Sequence, residues 1–162
     1  MLNIKIICVG KIREKSLKEL CDEYSKRISK YAKLEIIELD DEKIPSNSSD
    51  AIDEQIKIAE SNKIIEKLNK LPNSHVILLD LKGKELDSVD FSKEIENIST
   101  YSSSAITFVI GGSLGMSQEL LNYTKNKICF SKMTFPHQLI RVFLLEQIFR
   151  AFKIMNNETY HK

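Results

Sequence analysis

Cysteine is scarce: Cys8, Cys21 and Cys129 are the only three, far apart and without a CxxC pair. An odd number at such spacing argues against a disulfide framework and a thiolate zinc site. Cys8 and Cys129 lie in apolar runs, where a free thiol behaves as a small core residue. Histidine is equally sparse. His75, His137 and His161 stand apart with no HxxxH spacing, so no catalytic metal is expected. The chain has no G-x-G-x-x-G and no P-loop lysine. A dinucleotide fingerprint and a Walker phosphate cradle are therefore unsupported. No apolar run approaches the roughly 18 residues that span a bilayer. The opening "MLNIKIICVGKIREK" has too short an apolar core for a secretory signal. A cytoplasmic protein without a membrane partner is expected.

Charge of one sign is also lacking, since the whole chain carries a formal net charge of only +1. Its distribution is uneven. Residues 125–162 hold seven Lys or Arg and two Glu, a net charge of +5 that leaves −4 on the remainder. A basic C-terminal segment on an acidic body fits a polyanion or an acidic partner surface at that end, and it also fits ordinary surface charge.

What is present is an alternation of apolar strands and periodic helices. Strands are expected at 4–9, 34–39, 75–81, 105–110 and 127–131. The runs "HVILLDL" and "AITFVI" are apolar throughout, as in strands buried on both faces. One helix carries Leu17, Leu20, Cys21, Tyr24, Ile28 and Tyr31 on a single face. A second begins after Asp50 as N-cap, with a stripe of Ile52, Ile56, Ala59, Lys63 by its stem only, Ile64 and Leu68. Weaker helices are expected at 89–101 and 117–123, and Lys82-Gly83-Lys84 is expected to turn the chain. The pattern predicts one α/β domain over residues 1–162, a mostly parallel sheet with helices on its faces.

Three loops would leave strands at one sheet end: "LLDLKG", "GGSLG" and "SKMTFP". Ligands settle at the carboxyl ends of strands in open α/β sheets. The glycines at 111, 112 and 115 permit close backbone approach to a ligand, or a tight turn with none. With no metal cluster and no activated nucleophile, group transfer by an organic cofactor suits these loops. Residues 137–154 read as a helix that is apolar around nearly its whole circumference. Such a helix must be buried all round. A sheet covers one side of it, and a second copy of the chain is the commonest cover for the other. Glu146 and Arg150 are four apart and can pair, whereas Arg141 has no sequence partner and is free to reach a ligand or phosphate. The closing "NNETYHK" fits a frayed terminus, or a nucleic-acid contact with Tyr160 stacking on a base and His161 and Lys162 on phosphates.

"FVIGGSLG", "FSKMTFPHQLIRVFLLEQIFRAFKI" and the terminal "YHK" resemble the small SPOUT-superfamily methyltransferases. The branch resembled methylates N3 of a pseudouridine in large-subunit (23S) ribosomal RNA. "IKIICVGKIREK" and "LLDLKGK" extend the resemblance from end to end. It implies an α/β domain whose C-terminal segment forms a deep trefoil knot, with S-adenosylmethionine as methyl donor. The implied donor-binding residues are Leu79, Gly112, Ser131, Lys132, Met133, Thr134, Phe135 and Pro136. The implied substrate or catalytic residues are His137, Arg150, Tyr160, His161 and Lys162. It also implies a homodimer acting on assembled ribosomes, the tail of one subunit approaching the donor site of the other.

Methylating a ring nitrogen requires that nitrogen deprotonated and in line with the donor methyl. A cationic His161 or Lys162 would stabilise the imide anion, or a neutral His161 would act as base. The sequence leaves both open. It also leaves open a non-catalytic ribosome- or RNA-binding dimer of the same fold.

Overall fold

The computed structural model describes residues 1–162. Ten elements alternate: β1 (Leu2–Val9), α1 (Lys15–Ile28), β2 (Ala32–Leu39), α2 (Asp50–Asn69), β3 (His75–Glu85), α3 (Ser88–Tyr101), β4 (Ala105–Ile110), α4 (Gln118–Leu121), β5 (Lys127–Cys129) and α5 (His137–Met155). The strands form one sheet in the order β2-β1-β4-β3-β5, and every pairing is parallel. The mostly parallel sheet expected from the alternation is therefore present, with helices on both faces.

Side-chain alternation along β1 assigns the two faces. Ile4, Ile6 and Cys8 pack with Ile28 of α1, Ile95 of α3 and Leu145 of α5. Ile7 and Val9 pack with Ile64 and Leu68 of α2 and Leu120 of α4. Each interior position removes a whole aliphatic side chain from water, a contribution of about 1.5–3 kcal/mol apiece.

Several local expectations are corrected. Ser49, not Asp50, caps α2: its extended backbone lets its hydroxyl accept the Ile52 N–H at 3.3 Å. Strand β3 does not end at residue 81. It continues to Glu85 because Lys84 and Glu85 pair with Ile128 and Cys129, after Leu78 and Leu79 have paired with Lys127 and Ile128. Ile128 thus has partners on both sides of a break in β3. Gly83 lies against its backbone, where an added Cβ would stand 2.6 Å from the Ile128 carbonyl carbon. Residues 82–84 are therefore ladder and crossing rather than a free turn. Strand β5 is shorter than expected, ending at Cys129.

Helix α5 is mostly buried, yet the cover differs from the one expected. Helices α1 and α3 flank it on the sheet, so Val142, Leu144, Leu145, Ile148 and Phe152 are enclosed within one chain. The uncovered stripe is narrower and includes Phe143, which is 39% exposed. Leu20 of α1, expected on the core face, is 45% exposed and borders the same stripe.

Candidate functional site

The carboxyl ends of β3, β4 and β5 surround a cavity of about 530 Å³. Leu79, Gly112 and Ser131 contribute to its walls, as do Met133, Thr134, Phe135 and Pro136. Three loops distant in sequence thus meet because parallel strands end at one rim. In "GGSLG" the Gly115 N–H donates to the Gly112 carbonyl at 3.0 Å. Gly115 has φ +86, a conformation that side chains resist. Ser131 accepts the Met133 N–H at 3.0 Å, which curls the last loop. Lys132 is not brought into the cavity; its ammonium lies 3.9 Å from Glu85, and its side chain is 87% exposed. Leu81 and Met133 sit at the mouth, exposed by 55% and 72%.

His137, the first residue of α5, borders this cavity and a smaller polar one beside it. Burial, reinforced by the nearby Arg141 charge, holds its imidazole below the ordinary histidine range, with Asp41 acting in the opposite sense. At neutral pH it is an uncharged group able to donate from one nitrogen and accept at the other. Glu60 also borders the smaller cavity and was missed from sequence. It is buried to 4% exposure. Its Oε2 accepts the Glu42 N–H at 3.0 Å, and burial pushes its carboxyl upward, opposed by that hydrogen bond. The signal was available: Glu60 is four residues after Ile56 and four before Ile64, so a charge occupies the buried stripe of α2.

Arg141 is not free to reach a ligand. It is 3% exposed, paired with Glu38 at 2.6 Å and bonded to the Gly10 carbonyl at 3.1 Å. It ties α5 to the ends of β1 and β2. Arg141→Leu should lower stability by about 2 kcal/mol by leaving Glu38 unpaired. That is below the usual cost of a broken buried pair, because the Glu38 side chain is 35% exposed. Chemical denaturation with coincident fluorescence and circular dichroism would measure it.

The tail is folded back on the far end of α5. Asn157 adopts a left-handed conformation with φ 54 and the Glu158 N–H reaches the Lys153 carbonyl at 2.9 Å, a helix ending that reverses the chain. The Tyr160 ring meets Phe149 edge-on with centroids 4.9 Å apart, and its hydroxyl donates to Glu146 at 3.1 Å. Burial and the Glu146 charge push its phenol up to about 12, so Tyr160 is a donor and not a base. Arg150 bonds Glu146 at 2.6 Å and lies 3.2 Å from Nδ1 of His161. A guanidinium only donates, so Nδ1 accepts and the ring proton sits on Nε2. Lys162 is exposed.

Within one chain these tail residues do not reach the cavity. Arg150 is thirteen residues after His137, about 20 Å along the helix at 1.5 Å per residue. An apolar groove of about 700 Å³ runs between α1, α3 and α5, lined by Leu20, Tyr24, Leu86 and Phe143 among others. It shares Ile128, Cys129, Phe130, Ser131 and Phe135 with the cavity at the strand ends. Groove and cavity are therefore two sides of one wall. No three His, Cys, Asp or Glu side chains gather into a cation site, and no helix is long and apolar enough to cross a membrane.

Comparison with known proteins adds four findings. The family model described as "Predicted SPOUT methyltransferase" matches residues 2–161. The chain is 59% identical over 161 residues to the "Ribosomal RNA large subunit methyltransferase H" of Clostridium perfringens (strain 13 / Type A), covering 99% of this chain and 100% of that protein. The protein of that name from Clostridium tetani (strain Massachusetts / E88) is 54% identical over the same shares. A solved structure of a probable methylase family protein from Haemophilus influenzae Rd KW20 superposes with a TM-score of 0.54 at 14% identity, over 98% of this chain and 70% of that one. The last supports the fold alone.

Proposed function

The chain belongs to the SPOUT methyltransferase family, and from that premise we propose that it methylates N3 of a pseudouridine in 23S ribosomal RNA. The donor is S-adenosylmethionine, the working form a homodimer, the substrate the assembled ribosome, and the place the cytoplasm. One domain over residues 1–162 carries the activity. The observation that carries this reading is the cavity at the ends of β3, β4 and β5, where a glycine turn meets the Ser131–Pro136 loop.

The cavity fits the donor. Its volume of about 530 Å³ lies within the range of small-molecule sites, which are mostly apolar with a few polar groups. Backbone groups of Gly111 and Gly112 and the side chain of Thr134 are available to an adenosine and an amino acid. When bound, the donor supplies an electrophilic methyl on a sulfonium. The loops orient it and exclude water, and positioning provides much of the acceleration.

The homodimer is supported by the position of the tail. A second chain seated in the apolar groove lies across one wall from the cavity, and it brings its own Tyr160, His161 and Lys162 toward the site that the first chain's tail cannot reach. The +5 charge on residues 125–162 suits a ribosomal partner at that edge. A C-terminal trefoil knot is supported by the pairing of Ile128 with both Leu79 and Lys84, across the break in β3, and by the approach of Gly83 to its backbone. The test is mass spectrometry of rRNA after incubation of purified protein with donor and ribosomes lacking the modification. A single added methyl on one pseudouridine is the expected result. Binding to ribosomes and to donor without any methyl transfer would favour a non-catalytic binding dimer instead.

A further inference from the structure

The polar cavity beside the donor site has a volume of about 250 Å³ and shares Gly112, Ser113 and His137 with its larger neighbour or its rim. Only Val9 and Ile44 among its lining residues are apolar. The pivotal group is Glu60. Its Oε2 is occupied by the Glu42 N–H at 3.0 Å, and Oε1 accepts no hydrogen bond. No cation pairs with it; the nearby Lys63 pairs with Glu42 at 2.9 Å and donates to the Asp40 carbonyl. Oε1 stands against Gly112, 2.6 Å from where a Cβ would be, so it sits at the seam between the two cavities. Oε1 is not sealed from solvent, since Arg141 Nε is the one fully buried side-chain polar atom without a partner, so it is an acceptor open to the cavity. It is completed by a ligand that brings a hydrogen-bond donor.

The reading above supplies a donor of the required kind; this inference rests on it. A pseudouridine ring is attached through carbon and retains two ring N–H groups, N1–H and N3–H. In uridine N1 forms the glycosidic bond, so only N3–H remains. N3 must face the methyl donor. The N–H left for the smaller cavity is N1–H, the group that uridine lacks. Arg13 and Lys43 at the same cavity suit the flanking phosphates. We infer that Glu60 accepts the N1–H of the target pseudouridine and is the residue that separates it from uridine.

Sites built to bond a polar N–H reject an analogue lacking it far more strongly than apolar pockets discriminate. The experiment measures kcat/KM on ribosomes carrying pseudouridine at the target and on ribosomes carrying uridine there, from cells without the responsible synthase. Donor affinity is measured by calorimetry on the same proteins. The unmodified protein should prefer pseudouridine by about 10⁴-fold. In Glu60→Gln and Glu60→Ala the preference should fall to below about tenfold. The pseudouridine rate should carry the loss, with the uridine rate and donor affinity nearly unchanged. Equal losses on both substrates, a loss of donor affinity that accounts for the rates, or an unmodified protein without preference would each overturn the inference. A protein that methylates neither substrate would overturn the proposed function itself, a result read from absolute rates and not from their ratio.

Discussion

Replacing Gly83 with alanine should lower the melting temperature by about 6–12 °C, corresponding to about 3 kcal/mol for a chain of this size. The cause is steric. A Cβ there would lie 2.6, 2.7 and 2.8 Å from the carbonyl carbon, nitrogen and oxygen of Ile128. All three are backbone atoms, in a residue held by pairing with both Leu79 and Lys84. No rotamer change relieves such a contact, so one of two ladders must open. Gly115→Ala is the control. It has φ +86 and no neighbour within 4 Å of the added carbon, so its cost is backbone strain of about 1–2 kcal/mol. Calorimetric melting of both variants decides the matter. Gly83→Ala melting no lower than Gly115→Ala would mean that the crossing over β5 is loose.

That crossing also shows where sequence reading stopped. Apolar runs and the 3.6-residue period were enough to place β1, β4, α1 and α3 and to infer parallel strands. The extension of β3 was invisible because residues 80–85 read Asp-Leu-Lys-Gly-Lys-Glu. They are strand only because Ile128 and Cys129, more than forty residues later in the chain, complete the ladder. The same limit applies to α5. Its apolar circumference was legible, but which neighbour covers each side depends on α1 and α3 arriving from elsewhere.

At the site, the three rim loops were identified as a group, and the donor-binding residues expected from them line one cavity with Lys132 excepted. Arg141 was misjudged and Glu60 went unremarked. The type of a charged residue says little about its partner when that partner is far along the chain. Arg141 was read as free because no acid lies within helical reach, whereas Glu38 is 103 residues away. Glu60 drew no remark because carboxylates seldom sit in a core. Its place on the stripe with Ile56 and Ile64 outweighs that prior.

Mixing two inactive proteins should restore activity. One variant is Gly112→Val, whose added side chain meets Glu60 Oε1 at 2.6 Å and fills the glycine approach to the donor cavity. The other carries His161→Ala and Lys162→Ala, which leaves Tyr160 packed on Phe149. Each alone should lose about 100-fold or more in kcat/KM, since one lacks donor binding and the other the groups that meet the substrate. After denaturation and refolding together, random pairing makes half of the dimers mixed. Each mixed dimer holds one complete site, formed by an intact cavity from the tail variant and an intact tail from the Gly112 variant. Recovery should therefore approach about a quarter of the unmodified activity. A tail acting within its own chain predicts no recovery, because neither subunit of a mixed dimer then has both parts. The geometry favours the first outcome: His161 is bonded to Arg150 at the far end of α5, about 20 Å by helix rise from His137 at the cavity. A groove open to a second chain lies on the other side of the cavity wall. Measuring recovered rate against mixing ratio adds a second constraint, since complementation between subunits must peak at equal amounts and vanish at either extreme.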